Sequence, residues 1–168
     1  MKRYVERIDR ETNGGRYDVT PVFADADAFA SLMDDLIELS KGLEFDAVAG
    51  IDALGFILAT ALAVRLNLPF IPIRKGGKLP VAVDAESFVD YTGKRKSLEV
   101  RKDAFEGVNR VLLLDEWVET GAQVQAAIAL IERQNVEVAG VLALNIDQHP
   151  RIRALRERYV LRAAAEVG

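Results

Sequence analysis

Apolar positions along the chain repeat with two different periods. The stretch FASLMDDLIELSKGL places Phe29, Leu32, Met33, Leu36, Ile37 and Leu39 at the three- and four-residue spacing of one helix face. FDAVAGI, residues 45–51, is a short apolar run of strand length, and the small, apolar ALGFILATALAVRLN that follows predicts a helix ending near Asn67. PFIPIR, RVLLLD and VEVAGVLALN predict three further strands, with a helix over GAQVQAAIALIERQN between the last two. Strands that alternate with helices of this length imply βαβ units and right-handed crossovers. The predicted fold class is therefore α/β, an open, mostly parallel sheet flanked by helices. Residues 76–105 fit neither period. Their ends alternate apolar and polar, and their middle is rich in glycine and charge, so they predict an inserted β-hairpin loop with a flexible tip. No repeat or linker interrupts the pattern, and 168 residues that are 50% hydrophobic suit a single domain over residues 1–168.

Composition removes several chemistries. The chain has no cysteine, which excludes disulfides, thiolate metal sites and a cysteine nucleophile, and its one histidine, His149, argues against a His-rich metal centre or a Ser-His triad. The start, KRYVERIDRE after Met1, lacks the apolar segment of a secretory signal and predicts a cytoplasmic protein. The most apolar run stops at Arg65 after about a dozen residues, short of the roughly 20 that span a bilayer, so no membrane partner is expected. A net charge of −4 argues against nucleic acid as a partner. Two basic clusters stand out locally. Arg151, Arg153, Arg156 and Arg158 follow Pro150 at helical spacing and read as a solvated face, whereas Lys94, Arg95, Lys96, Arg101 and Lys102 fall at or near the predicted hairpin tip.

The chemistry concentrates in VLLLDEWVETGAQ, residues 111–123. Ligands of open α/β sheets sit beyond the carboxyl ends of the strands, which puts Asp115 and Glu116 at the ligand edge. Thr120 and Gln123 have the T-x-x-Q spacing of a capping box at the start of the next helix, and Gly121 permits a tight turn. Free amides at such a helix start suit a phosphate, while the two acids suit sugar hydroxyls or a hydrated cation. A phosphorylated sugar satisfies both halves.

The same stretch resembles the PRPP-binding motif of type I phosphoribosyltransferases, a hydrophobic strand, two acids, two residues and Thr-Gly-Gly-Thr. GIDALGFILATALAVRLNLPFIPIRKGGKLP resembles the G-I-E-A-R-G-F helix and R-K-x-G-K-L-P segment of the adenine-type subgroup. YDVTPVFADADAFASLMDDL is similar to its R-D-I-S-P-V-L segment, and DYTGKRKSLEVRKDAF to its flexible loop. These blocks keep the subgroup's order from about residue 15 to residue 145.

The resemblance implies a purine phosphoribosyltransferase. A base displaces pyrophosphate from C1 of PRPP, with Mg2+ bound on the PRPP and no metal ligand on the protein. The base is adenine first, hypoxanthine or guanine next, and the product is a nucleoside monophosphate of purine salvage. By the same resemblance Asp115 and Glu116 hold the ribose hydroxyls, and Glu119, Thr120, Gly121, Ala122 and Gln123 bind the 5-phosphate. Asp52, Ala53, Leu54 and Gly55 turn toward pyrophosphate. Arg74, Lys75 and Lys78 reach pyrophosphate in the neighbouring subunit of a homodimer. On the loop, Asp90, Tyr91 and Lys94 are the catalytic candidates, with Arg95 and Lys96 adding charge on closure, and Tyr17 lies at the base.

The chain departs from the pattern at several of these places. Leu54 replaces an arginine that contacts pyrophosphate, Glu119 replaces a small residue, Ala122 and Gln123 replace Gly and Thr, Tyr17 replaces an arginine, and Trp117 replaces an aliphatic residue. A carboxylate at position 119 opposes phosphate. Leu54 and Glu119 therefore keep a second reading open, a noncatalytic paralogue that senses PRPP or a nucleotide.

Overall fold

The computed structural model describes residues 2–13 and 16–167. The expected bounds 1–168 thus include four positions, Met1, Gly14, Gly15 and Gly168, that lie outside the described residues. In chain order the elements are α1 (Arg3–Glu6), α2 (Thr20–Ala24), α3 (Ala26–Ser40), β1 (Ala47–Ile51), α4 (Leu54–Leu66), β2 (Phe70–Lys75), β3 (Val83–Val89), β4 (Arg95–Arg101), β5 (Arg110–Val118), α5 (Ala122–Arg133), β6 (Glu137–Ile146), α6 (Pro150–Arg156) and β7 (Leu161–Ala163). The strands form one seven-stranded sheet of order β3-β4-β2-β1-β5-β6-β7. Pairing is parallel from β2 through β7 and antiparallel in β2–β4 and β3–β4.

The central strands β1, β5 and β6 are buried on both faces, which is why they read as continuous apolar runs. One face packs against α3 and α4 through Leu32, Leu36, Leu58, Leu62, Leu112 and Leu114. The other packs against α5 and α6 through residues such as Leu113, Val124, Ile131, Val141 and Leu155. Asp25 caps α3 by accepting from the amides of Asp27 and Ala28. Asn67, in the left-handed region at φ 55°, ends α4 where the pattern predicts.

Residues 83–101 form the predicted hairpin, with Val89 opposite Arg95 and a tight turn over 90–94. It is also the edge of the main sheet, because β4 pairs with β2 through Arg74 opposite Glu99 and Lys75 opposite Leu98. α1, α2 and β7 have four, five and three residues, too short to show a period.

Candidate active site

The chain passes from β1 to β2 on one side of the sheet and later places β5 on the other side of β1, so the winding reverses between β1 and β5. A crevice opens at such a reversal beyond the carboxyl ends of the strands. Its walls are Asp52, Ala53 and Leu54 after β1, Lys75 ending β2, and residues 115–124. Phe88, Asp90, Tyr91 and Lys96 of the hairpin and Arg16 from the N-terminal segment complete them.

Most residues named from the sequence meet here. Asp52, Ala53, Leu54, Lys75, Asp90, Tyr91, Asp115, Glu116, Glu119, Thr120, Gly121, Ala122 and Gln123 all line the cavity. Gly55 lies just behind it, where a β-carbon would stand 2.9 Å from the Leu114 carbonyl oxygen and 3.2 Å from Asp115 Cα. Glycine there lets the first turn of α4 press against the end of β5. Arg74, Lys78 and Lys94 are not among the lining residues. Arg74 instead donates to Asp52 Oδ2 at 3.2 Å, and the Lys78 amide donates to Glu99. The hairpin charge expected from Lys94 is delivered to the cavity by Lys96. Tyr17 lines an adjoining pocket with Trp117, Asp147 and Val167, which shares Arg16, Glu116 and Glu119 with the main cavity.

The strand expected to stop at Asp115 continues to Val118, paired with β6 through Asp115–Ala143, Trp117–Asn145 and Val118–Ile146. The acid pair is consequently held in regular strand rather than in a loop. Asp115 lines the cavity yet is only 3% exposed. Its Oδ1 accepts from the Glu116 amide at 2.9 Å and its Oδ2 from Gln123 Nε2 at 3.0 Å. Burial, then the Glu116 carboxylate beside it, push its pKa well above the usual carboxylate range. Burial also raises Glu116, against the pull of Arg16.

The capping box requires correction. Gly121 is the N-cap of α5, in the left-handed region at φ 80°, and it has no side chain with which to cap. Thr120 Oγ1 accepts from the Ala122 amide at 3.3 Å. Gln123 does not return to the cap, because its amide is drawn to the buried carboxylate of Asp115. The turn over 119–123 thus presents helix-start amides beside two carboxylates.

At the hairpin tip, Asp90 is committed to its own turn. Oδ1 accepts from the Thr92 amide, the Thr92 hydroxyl and the Lys94 amide, and Oδ2 lies 2.6 Å from Lys96 Nζ. Lys96 and Thr92 hold its pKa far below the ordinary range. Tyr91 is half-exposed, and Arg16 Nη1 donates to its hydroxyl at 3.3 Å.

Two features escaped the sequence reading. Arg16 stands 2.9 Å from Glu119, an ion pair without hydrogen-bond alignment. Its only signal in the sequence is its place next to Tyr17, where the adenine-type pattern has its arginine. The second is a polar network below the adjoining pocket. Asp147 Oδ1 accepts from Trp117 Nε1 at 3.0 Å and Asn145 Nδ2 at 2.8 Å, and buried Asn145 takes the Val167 amide. Trp117 is accordingly both packed against the core and a wall of the site.

The phosphoribosyl transferase domain family matches residues 23–160. An adenine phosphoribosyltransferase of Dinoroseobacter shibae is 44% identical over 123 residues, 73% of this chain and 68% of that protein. Among solved structures, adenine phosphoribosyltransferase from Thermoanaerobacter pseudethanolicus superposes with a TM-score of 0.86 at 30% identity over 98% of both chains. The Rhodothermus marinus enzyme gives 0.81 at 31% identity, over 98% of this chain and 96% of that one. The chain belongs to the type I phosphoribosyltransferases, in the subgroup of the adenine phosphoribosyltransferases.

Proposed function

We propose that this protein transfers the phosphoribosyl group of PRPP to adenine, giving AMP and pyrophosphate in purine salvage. The observation that carries this reading is one cavity in which a pair of carboxylates, Asp115 and Glu116, adjoins the helix-start amides of 119–123 and the residues following β1. Carboxylates accept from the two ribose hydroxyls, and the amides take the 5-phosphate. The first turn of α4, at Ala53 and Leu54, faces the pyrophosphate. Bond formation from adenine N9 to C1 accompanies loss of the C1–O bond, whose electron pair leaves with pyrophosphate, and the departing pyrophosphate takes the N9 proton. Positioning and charge neutralisation supply the acceleration.

Adenine precedes hypoxanthine and guanine because the curated relatives are adenine enzymes. Tyr17, Trp117 and Asp147 form the pocket for the base next to the ribose acids. Mg2+ suits the site as a companion of PRPP. The acids lining the cavity suit the hydrated cation that accompanies PRPP, and no three His, Cys, Asp or Glu among the described residues converge into a cage that would hold it directly. Carried with PRPP, it would supply positive charge that neutralises the leaving group. Exposed Ile57 and Val64 on α4 support a homodimer built on that apolar face.

The sensing paralogue retains one supporting observation, an aliphatic Leu54 on the cavity wall where the subgroup pattern has an arginine. A single assay separates the readings. The protein is incubated with PRPP, Mg2+ and adenine, hypoxanthine or guanine, and nucleoside monophosphate is measured. AMP with adenine supports the proposal, and PRPP binding without product from any base favours the sensor. No PRPP binding rejects both.

A further inference from the structure

Arg16 is the one cation among the described residues that lines both the main cavity and the adjoining pocket. Its guanidinium touches three separate parts of the chain. Nη2 lies 2.9 Å from Glu119 Oε1 in the phosphate turn and 3.7 Å from Glu116 Oε1 at the end of β5. Nη1 donates to the Tyr91 hydroxyl at 3.3 Å, and the guanidinium carbon stands 5.0 Å from the Tyr91 ring centre. A planar group with five donors can bridge two acceptors while its face covers an aromatic ring, which an ammonium cannot do.

The local charge balance explains why such a group is needed. The cavity is lined by five carboxylates, Asp52, Asp90, Asp115, Glu116 and Glu119, against Arg16, Lys75 and Lys96. Lys96 is already paired with Asp90. Burial, opposed by Arg16, leaves Glu119 with a raised pKa, so without that partner a half-buried carboxylate would stand unpaired in the turn assigned to a phosphate.

We propose that Arg16 is a positioning residue of this site. It neutralises Glu119 through one end of the guanidinium, so that the turn accepts a phosphorylated ribose, and through the other end and its face it fastens the hairpin tip over the cavity at Tyr91. The proposal rests on the function inferred above. It makes Glu119 harmful only when Arg16 is missing, a coupling that a merely structural arginine would not produce.

The test is a double-mutant cycle read by calorimetric titration with PRPP, joined to hydrogen exchange of the amides 91–95 in the ligand-free protein. Arg16→Met should weaken PRPP binding about tenfold, and Glu119→Gln should change it by less than about threefold. The double variant should recover most of the loss, a non-additivity of at least about threefold. Exchange at 91–95 should quicken in Arg16→Met before any ligand is added. A loss from Arg16→Met that is the same with and without Glu119→Gln, or no loss in either case, overturns the proposal. Should Arg16→Met unfold, Arg16→Lys replaces it. Charge without the planar face should then hold affinity within about threefold while the tip exchanges faster, and unchanged exchange overturns the clasp. If the wild-type protein does not bind PRPP, the functional reading fails. The exchange of the ligand-free tip then decides the clasp alone, faster exchange in the variant supporting it and unchanged exchange overturning it.

Discussion

Glu99 on β4 and Asp115 on β5 are both almost fully buried carboxylates, 5% and 3% exposed, and their surroundings treat them in opposite ways. Glu99 accepts from three successive backbone amides, Gly77 at 2.7 Å and Lys78 and Leu79 at 2.6 Å each. Burial pushes its pKa up, but the three amides and nearby Arg74 outweigh that, and the net shift is downward. Asp115 receives one backbone amide and one side-chain amide, and it faces Glu116 and Glu119. There burial dominates and the pKa rises. The difference lies in how much of each carboxylate's accepting capacity is used. Glu99 takes three amides of its own chain and organises the connection from β2 to β3. Asp115 lines a cavity and has accepting capacity left.

The strongest way to sharpen that contrast is to neutralise the cavity pair. Asp115→Asn with Glu116→Gln should weaken PRPP binding by about 3 to 6 kcal/mol, the loss of two charge-assisted hydrogen bonds, with an unchanged circular dichroism spectrum. Titration calorimetry checks it, and undiminished affinity would remove the acids from the ribose site.

The structural carboxylate should respond in stability instead. Glu99→Ala leaves three amides without an acceptor and should cost about 2 to 4 kcal/mol in urea unfolding. Because its folded pKa is lowered, the stabilisation from Glu99 is present above the ordinary glutamate range and is lost as pH falls through the lowered value. The gap between wild type and Glu99→Gln should narrow on acidification, and a gap that widens would contradict the amide account.

Asp115 should show the reverse sign. With its folded pKa raised, its contribution to stability is fully present at low pH, where it is protonated in both states, and is lost as pH rises through the folded value. Asp115→Asn alone should stabilise the ligand-free protein by about 1 kcal/mol near pH 8 and by much less near pH 4. Thermal unfolding at the two pH values measures this, and equal shifts at both would place Asp115 outside the titrating group.

The smallest expected effect is at Leu54, which packs half-buried against the core and also lines the cavity. Leu54→Arg should tighten pyrophosphate binding by about 0.5 to 1 kcal/mol, as for a solvent-accessible ion pair, with a small loss in melting temperature. No gain in a folded variant would show that the first turn of α4 is not the pyrophosphate contact.

Much of this was legible in one dimension. The βαβ alternation, the hairpin within 76–105 and the Thr-Gly turn are short-range patterns, and each appears where its period or turn residue indicates. The three-residue β7 and the four-residue α1 carry no period and are stabilised by what they pack against. Gln123 looked like half of a capping box because spacing reports what a side chain can reach, whereas the deeper need of buried Asp115 decided what it does reach.

The sequence by itself determined the order of the longer strands and helices, the place of the acid pair toward the carboxyl end of β5 and the small residues that let α4 and α5 start beside it, because these depend on neighbours within a few turns. Only the tertiary structure decided the electrostatics of the site. Arg16 meets Glu119 and Tyr91, and Glu99 meets the amides of 77–79, across long stretches of chain that the sheet order β3-β4-β2-β1-β5-β6-β7 brings together. A carboxylate's pKa follows from burial and from the donors around it, and both are set by packing.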